Sequence, residues 1–167
     1  VTGVQTCALP ILAGLINALK ITGGELKQQR ILFLGAGSAA IGLADLIVSA
    51  LGQQGIAPEQ ARQNIRMFDT QGLVVTGRPH LPPHKRPYAH DLPATPSFDP
   101  TDLSSECPRI IAAIDDFKPT VLIGVSTVGR LFNQEVVEAM ARYNSRPIIF
   151  ALSNPTEKHE CLPADTY

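Results

Sequence analysis

The residues best suited to chemistry gather in one short loop. Gly35-Ala36-Gly37-Ser38-Ala39-Ala40 has the spacing G-x-G-x-x-A, between an apolar run (Ile31 to Leu34) and a segment, Ala39 to Leu51, with Ile41, Ala44, Leu46, Ile47 and Val48 at helical spacing. A buried strand running through a glycine turn into a helix aims the helix's first amides, and the positive end of its dipole, at an anion. Gly35 permits the tight turn, Gly37 allows a diphosphate to approach the backbone, and Ala40 lets the helix pack closely on the strand. With the required context on both sides, Gly35, Gly37, Ser38 and Ala39 read as a pyrophosphate cradle for a dinucleotide; a bare structural turn is the alternative.

Asp69 closes the next apolar run, Ile65-Arg66-Met67-Phe68. In dinucleotide-binding sheets an acid there bonds the adenosine ribose. It lies 34 residues after Gly35 (69 − 35), against about 20 in the usual pattern. A short polar helix, opened by Pro58 and reaching about Gln63, accounts for the excess. The alternative is an ordinary strand-end cap. His84-Lys85-Arg86 follows within a Pro-rich stretch, 78 to 103, read as a long loop. These bases are placed to neutralise an adenosine 2′-phosphate, or else form a solvated charge cluster. His80, His84 and His90 share that loop without a carboxylate or cysteine to complete a ligand set, so they are expected at the surface and no metal site is assigned. Asp115 and Asp116, adjacent on a helix, diverge instead of converging on one substrate atom.

Elements must bring these residues together. An apolar helix is expected over Ile11 to Ile21, after Pro10 and before Thr22-Gly23-Gly24, since Pro suits only a first turn. Further expectations are a short strand at Leu73-Val74-Val75, a helix from Ser104 or Ser105 to Phe117 and a strand at Thr120 to Val125. A helix at Asn133 to Tyr143 and a last strand at Pro147 to Leu152 complete the set. Strands alternating with helices predict an α/β fold: a Rossmann-like, doubly wound, mostly parallel sheet with helices on both faces. The loops at 35 to 40 and 124 to 127, with Asp69 and Asn154, then share its carboxyl edge.

Composition excludes several classes. The 167 residues suit one ordinary domain. A net charge of −1, with pI about 6.5 and no basic run, argues against nucleic acid or an anionic membrane as partner. Mean hydropathy is +0.08, and no apolar run reaches membrane-spanning length. Cys7, Cys107 and Cys161 are far apart, odd in number and form no C-x-x-C pair, so inert thiols in a reducing cytoplasm are expected.

The segments RILFLGAGSAAIGLADLIV, MFDTQGLVVTGR, PTVLIGVS followed two residues later by GRLF, EVVEAMA and RPIIFALSNPTEKHEC together resemble the C-terminal, cofactor-binding domain of malic enzymes. The resemblance covers about residues 12 to 167, leaving 1 to 11 as an atypical, foreign-looking stretch that keeps only Gln5 of the expected Q-G-T-A run. It implies oxidative decarboxylation of L-malate to pyruvate and CO2, with NADP or NAD reduced and Mg2+ or Mn2+ acting as a Lewis acid in the full enzyme. It further implies that Gly35, Gly37, Ser38 and Ala39 hold the pyrophosphate, Asp69 the ribose, and Val125 and Ser126 the nicotinamide side. Asn154 would contact substrate or nicotinamide, and Lys85 resembles the lysine that NADP-preferring members set against the 2′-phosphate. The family's catalytic Tyr and Lys and its acidic metal ligands have no counterpart in these segments. The chain is therefore expected to be a fragment truncated at both ends, inactive alone, from an enzyme that is a homo-oligomer at full length. Alternatives are another Rossmann dehydrogenase domain, for an amino acid or small hydroxy acid, or a non-catalytic nucleotide-sensing module.

Overall fold

Ile31, Leu32, Phe33 and Leu34 are all buried, because they form the middle strand of a sheet covered on both faces. The computed structural model describes residues 3–91, 106–125 and 133–152. Its five strands are β1 (Ile31–Leu34), β2 (Ile65–Asp69), β3 (Gly72–Leu73), β4 (Val121–Gly124) and β5 (Ile148–Ala151), in the order β3-β2-β1-β4-β5. All neighbours run parallel except the β2–β3 hairpin.

Among the described residues, five α-helices accompany them: α1 (Gly3–Thr22), α2 (Ser38–Gln53), α3 (Pro58–Gln63), α4 (Glu106–Phe117) and α5 (Gln134–Tyr143). Successive strand residues point to opposite faces. Ile31 and Phe33 accordingly join Leu15 and Leu19 of α1 and Leu43 and Ile47 of α2 in one cluster. Leu32 and Leu34 join Ile110 and Ile114 of α4 and Val136 and Met140 of α5 in the other. The doubly wound α/β sheet expected from the alternation of strands and helices is the fold observed. The Asn133 side chain accepts the Val136 N–H at 3.0 Å and caps α5 where an N-cap residue should.

Three local expectations change. The first helix does not start at Ile11 but at Gly3, carrying Pro10 inside it. Burial overrides the local breaker: Ala8, Leu12, Leu15 and Leu19 form one buried stripe that passes Pro10 without interruption. The strand at 73 to 75 shrinks to Gly72–Leu73, continued by the Val74 N–H to Met67 O bond at 2.8 Å and a bridge between Val75 and His90. The Pro-rich loop also contains a 3-10 helix, Pro83–Tyr88, whose φ-restricted prolines favour so tight a turn.

Pro10 is exposed. Replacing a helix-interior proline removes a steric clash and restores a donor, so Pro10→Ala should stabilise the fold by about 2 kcal/mol. A raised urea midpoint at unchanged slope is the expected result. A lowered midpoint would show that the chain is not helical through residue 10.

Candidate functional site

The parallel pairings keep the strands in step. Leu34 lies beside Phe68 on one side and Gly124 on the other, and Gly124 lies beside Ala151. The chain therefore leaves the sheet along one rim, at Gly35, Asp69, Val125 and Leu152. Three bonds extend the ladders there: Gly35 N–H to Phe68 O at 2.7 Å, Val125 N–H to Leu34 O at 2.9 Å and Leu152 N–H to Gly124 O at 2.9 Å. From β1 the chain turns to α2 on one face, and α5, which follows β4, packs on the other. The rim between them is the switch point at which open α/β sheets bind ligands.

The glycine turn is built as its residue types require. Gly35 has φ +119°, a conformation reserved for glycine. Gly37 is the N-cap of α2, and its carbonyl accepts the first intrahelical bond, from Ile41 N–H at 3.0 Å. The amides of Ser38, Ala39 and Ala40 lie ahead of that bond and have no partner within the helix. Ser38 and Ala39 are exposed, whereas Ala40 is fully buried against the strand. A Cβ built on Gly37 would meet nothing within 4 Å. Protein packing thus does not demand glycine there; close approach by a ligand would.

Asp69 does not wait at the rim as a free acid. Its Oδ2 accepts from Lys85 Nζ at 2.6 Å and from Arg78 Nη1 at 3.1 Å, and its Oδ1 pairs with Arg78 Nη2. The Gln71 N–H donates to Oδ1 at 2.9 Å, so the strand-end cap is present as well. The three side chains are 12%, 10% and 17% exposed for Asp69, Arg78 and Lys85. Burial pushes the Asp69 pKa up, but the bonds from Arg78, Lys85 and Gln71 outweigh it and hold the carboxyl below its ordinary value.

Arg78 is the partner that reading the sequence missed. The β2–β3 hairpin reverses the chain after Asp69, and Gly77, at φ +78°, turns it again, so Arg78 arrives beside the acid nine residues later. A cleft of about 510 Å3 nearby has Arg78, His80 and Arg86 in its lining, with no carboxylate among the described residues that line it.

Val125 sits half-buried at the rim. Ser126 and Asn154 lie outside the described residues, as do Cys107 and Cys161 at the level of side chains. His80 and His84 are exposed as expected, but His90 is not a surface group. It is half-buried, its Nε2 lies 2.9 Å from Ile65 O, and a carbonyl only accepts, so Nε2 carries the proton. Burial first, then the Arg66 charge, lowers its pKa to about 4. Asp115 is engaged by the Tyr143 hydroxyl at 3.0 Å and by Arg142 at 3.5 Å. Among the described residues, no three His, Cys, Asp or Glu side chains are grouped to hold a metal ion, and no helix is long and apolar enough to cross a membrane.

A glycine turn at a switch point, with an acid at the end of the adjoining strand, defines a dinucleotide-binding domain of the Rossmann type. The family model for the malic enzyme NAD binding domain matches residues 4–167. The chain is 43% identical to an NADP-dependent malic enzyme of Columba livia and 45% identical to a chloroplastic one of Solanum lycopersicum, each alignment covering 98% of this chain. It spans about a quarter of the length of these relatives, 27% in both. The crystal structure of Entamoeba histolytica malic enzyme superposes with a TM-score of 0.65 at 28% identity, over 97% of this chain and 29% of that one. The chain belongs to the malic enzyme family, as its NAD-binding domain.

Two substitutions separate fold from binding at the turn. Gly35→Ala should cost about 1–3 kcal/mol of stability, because alanine is strained at that φ. Gly37→Ala should change stability by less than about 1 kcal/mol yet weaken coenzyme binding by roughly tenfold or more. Calorimetric melting and coenzyme titration of each variant check this, and intact binding by Gly37→Ala would remove the cradle's rationale.

His90 gives a pH dependence of definite sign. Its folded pKa, about 4, lies below its ordinary 6.5, so the unfolded chain binds the extra proton first. The stability it contributes is complete above pH 6.5 and is lost as pH falls toward 4. Urea midpoints across that window should fall less steeply in His90→Gln, whose amide can still donate to Ile65 O; parallel curves would refute the assignment.

Proposed function

We propose that this chain is the coenzyme-binding part of an NADP-preferring malic enzyme, which oxidatively decarboxylates L-malate to pyruvate and CO2. The observation that carries the coenzyme choice is the state of Asp69. A free acid at that strand end receives a ribose 2′-hydroxyl and repels a 2′-phosphate. Here one carboxylate is shared by two cations, Arg78 and Lys85, leaving a net charge of +1 (two minus one) where the 2′-substituent falls. Arg86 and His80 line the adjoining cleft and add further donors. The NADP dependence named for the similar proteins points the same way.

The residues fit a dinucleotide. The open space before Gly37 admits a diphosphate, and the first amides of α2 face it. Gly35, Gly37, Ser38 and Ala39 hold the pyrophosphate, Asp69 holds Arg78 and Lys85 beside the adenosine ribose with Lys85 meeting its 2′-phosphate, and Val125 and Ser126 are assigned to the nicotinamide side. Asn154 is assigned to the nicotinamide or the malate. Bound there, the coenzyme supplies the two-electron oxidant for the substrate's secondary alcohol. The chain's own contribution is to bind and orient it against the rim.

The catalytic Tyr and Lys, and the acidic ligands for Mg2+ or Mn2+, are assigned to parts of the protein beyond these residues. The working enzyme is taken to be a cytoplasmic homo-oligomer, with neither nucleic acid nor membrane as partner. The near-neutral charge supports the last point, and three cysteines far apart in the sequence, with no C-x-x-C pair, support a reducing compartment.

A charge-assisted contact to a phosphate is worth about 1.5–3 kcal/mol. Lys85→Gln in the complete protein should therefore weaken NADP+ by roughly 10- to 100-fold, with NAD+ changed by less than about threefold. Titration with both coenzymes decides the matter. Equal losses would defeat the assignment of Lys85 and, with it, the preference for NADP.

A further inference from the structure

The 3-10 helix that carries Lys85 has few backbone bonds of its own. Pro83 and Pro87 fix its turns through φ but donate no bond, and at Pro87 that leaves its last turn one donor short. Lys85 N–H to Pro82 O, at 3.0 Å, and Ala89 N–H to Arg86 O, at 3.1 Å, tie its turns. Residues three apart eclipse in a 3-10 helix, so Lys85 and Tyr88 share a face one turn apart. Tyr88 is fully buried, and its hydroxyl donates to Asp45 Oδ1 of α2 at 2.5 Å. The Arg62 guanidinium of α3 stands 6.0 Å from the ring centroid. Asp45 lies on the helix that begins at the phosphate turn, seven residues beyond Ser38, or about 10 Å along its axis.

We propose that the Tyr88–Asp45 hydrogen bond is a latch that positions Lys85, so that discrimination between phosphorylated and unphosphorylated coenzyme depends on a residue pair that touches neither. The latch joins the arm bearing Lys85 to the same rigid helix whose amides meet the diphosphate. Contacts to the 2′-phosphate and to the pyrophosphate then keep a fixed separation, which is what preorganised recognition needs. Burial, and then the Asp45 carboxylate, pushes the Tyr88 hydroxyl pKa up, so the group remains a donor throughout the working pH range. Tyr88 and Asp45 are positioning residues. The inference rests on the coenzyme reading given under Proposed function.

The test uses the complete protein and isothermal titration with adenosine 2′,5′-bisphosphate, NADP+ and NAD+, so that binding is read without turnover. Tyr88→Phe keeps the ring and removes only the donor. It should weaken adenosine 2′,5′-bisphosphate and NADP+ by roughly 5- to 20-fold, and NAD+ by less than about twofold. Asp45→Ala, made on an exposed position of α2, should reproduce that pattern whether or not Tyr88→Phe folds. Asp45→Asn, whose Oδ1 still accepts, should stay within about twofold of the parent. Added to Lys85→Gln, Tyr88→Phe should cause no further loss, because the two act through one contact. Equal weakening of both coenzymes, additive losses, or no loss in Asp45→Ala overturns the latch. If Lys85→Gln discriminates and the latch variants do not, only the latch falls; if Lys85→Gln fails to discriminate, the coenzyme reading falls first.

Discussion

The pairing of β1 with β2 on one side and β4 on the other is the constraint from which the rest of the molecule follows. Four consecutive buried residues, Ile31 to Leu34, serve two cores at once, and each buried side chain is worth about 1.5–3 kcal/mol. A slip by one residue would exchange the faces and strand Phe33 among the partners of Leu32. The same register sets Gly35 beside Asp69 and Val125 beside the mouth of the turn. Packing in the core and alignment at the rim are thus one requirement, met by a single strand.

At the rim, electrostatics takes over from packing. A half-buried Asp69 is costly as an isolated anion, and its neighbours Arg78 and Lys85 are costly as isolated cations. Together they satisfy one another, with both Asp69 oxygens engaged and the backbone amide of Gln71 added. Losing one cation still leaves a neutral pair, whereas losing the acid would leave two like charges facing each other. The acid therefore holds two cations at fixed positions while one positive charge remains available. An anion arriving there meets donors already aligned, and little side-chain freedom has to be lost on binding.

Much of this was legible in the residues, for identifiable reasons. The central strand, the turn at Gly35 to Ala40 and the helix after it each carry a strong local signal, and all three agree with one another. Asp69 could be placed despite its unusual spacing because Pro58 announces the inserted helix. The course of α1 was not legible, since Pro10 breaks a helix by local rules and only the stripe from Ala8 to Leu19 shows what offsets it. Arg78 was hidden for a different reason. A short strand was expected at Leu73 to Val75, but nothing in the local pattern shows that it turns back antiparallel on β2 or that the chain then returns Arg78 to Asp69. Lys85 was visible as a charge, but its tether through Tyr88 to Asp45 spans 43 residues and leaves no trace in local pattern. His90 reads as a loop histidine until its bond to Ile65 O places it under the sheet edge.

These cases share a physical distinction. Elements held by large apolar faces announce themselves through periodicity, because burial must repeat along the chain. The arm bearing Lys85 has little apolar surface to bury beyond Tyr88, with partial help from Leu81 and Ala89. It is fixed by that one buried ring together with single polar bonds of long reach. Such bonds contribute only about 1 kcal/mol each to stability. The glycine turn takes its position from a strand buried in two cores, whereas the neighbouring arm takes its position from one ring and a few polar bonds, and neither the ring nor the bonds repeat along the chain.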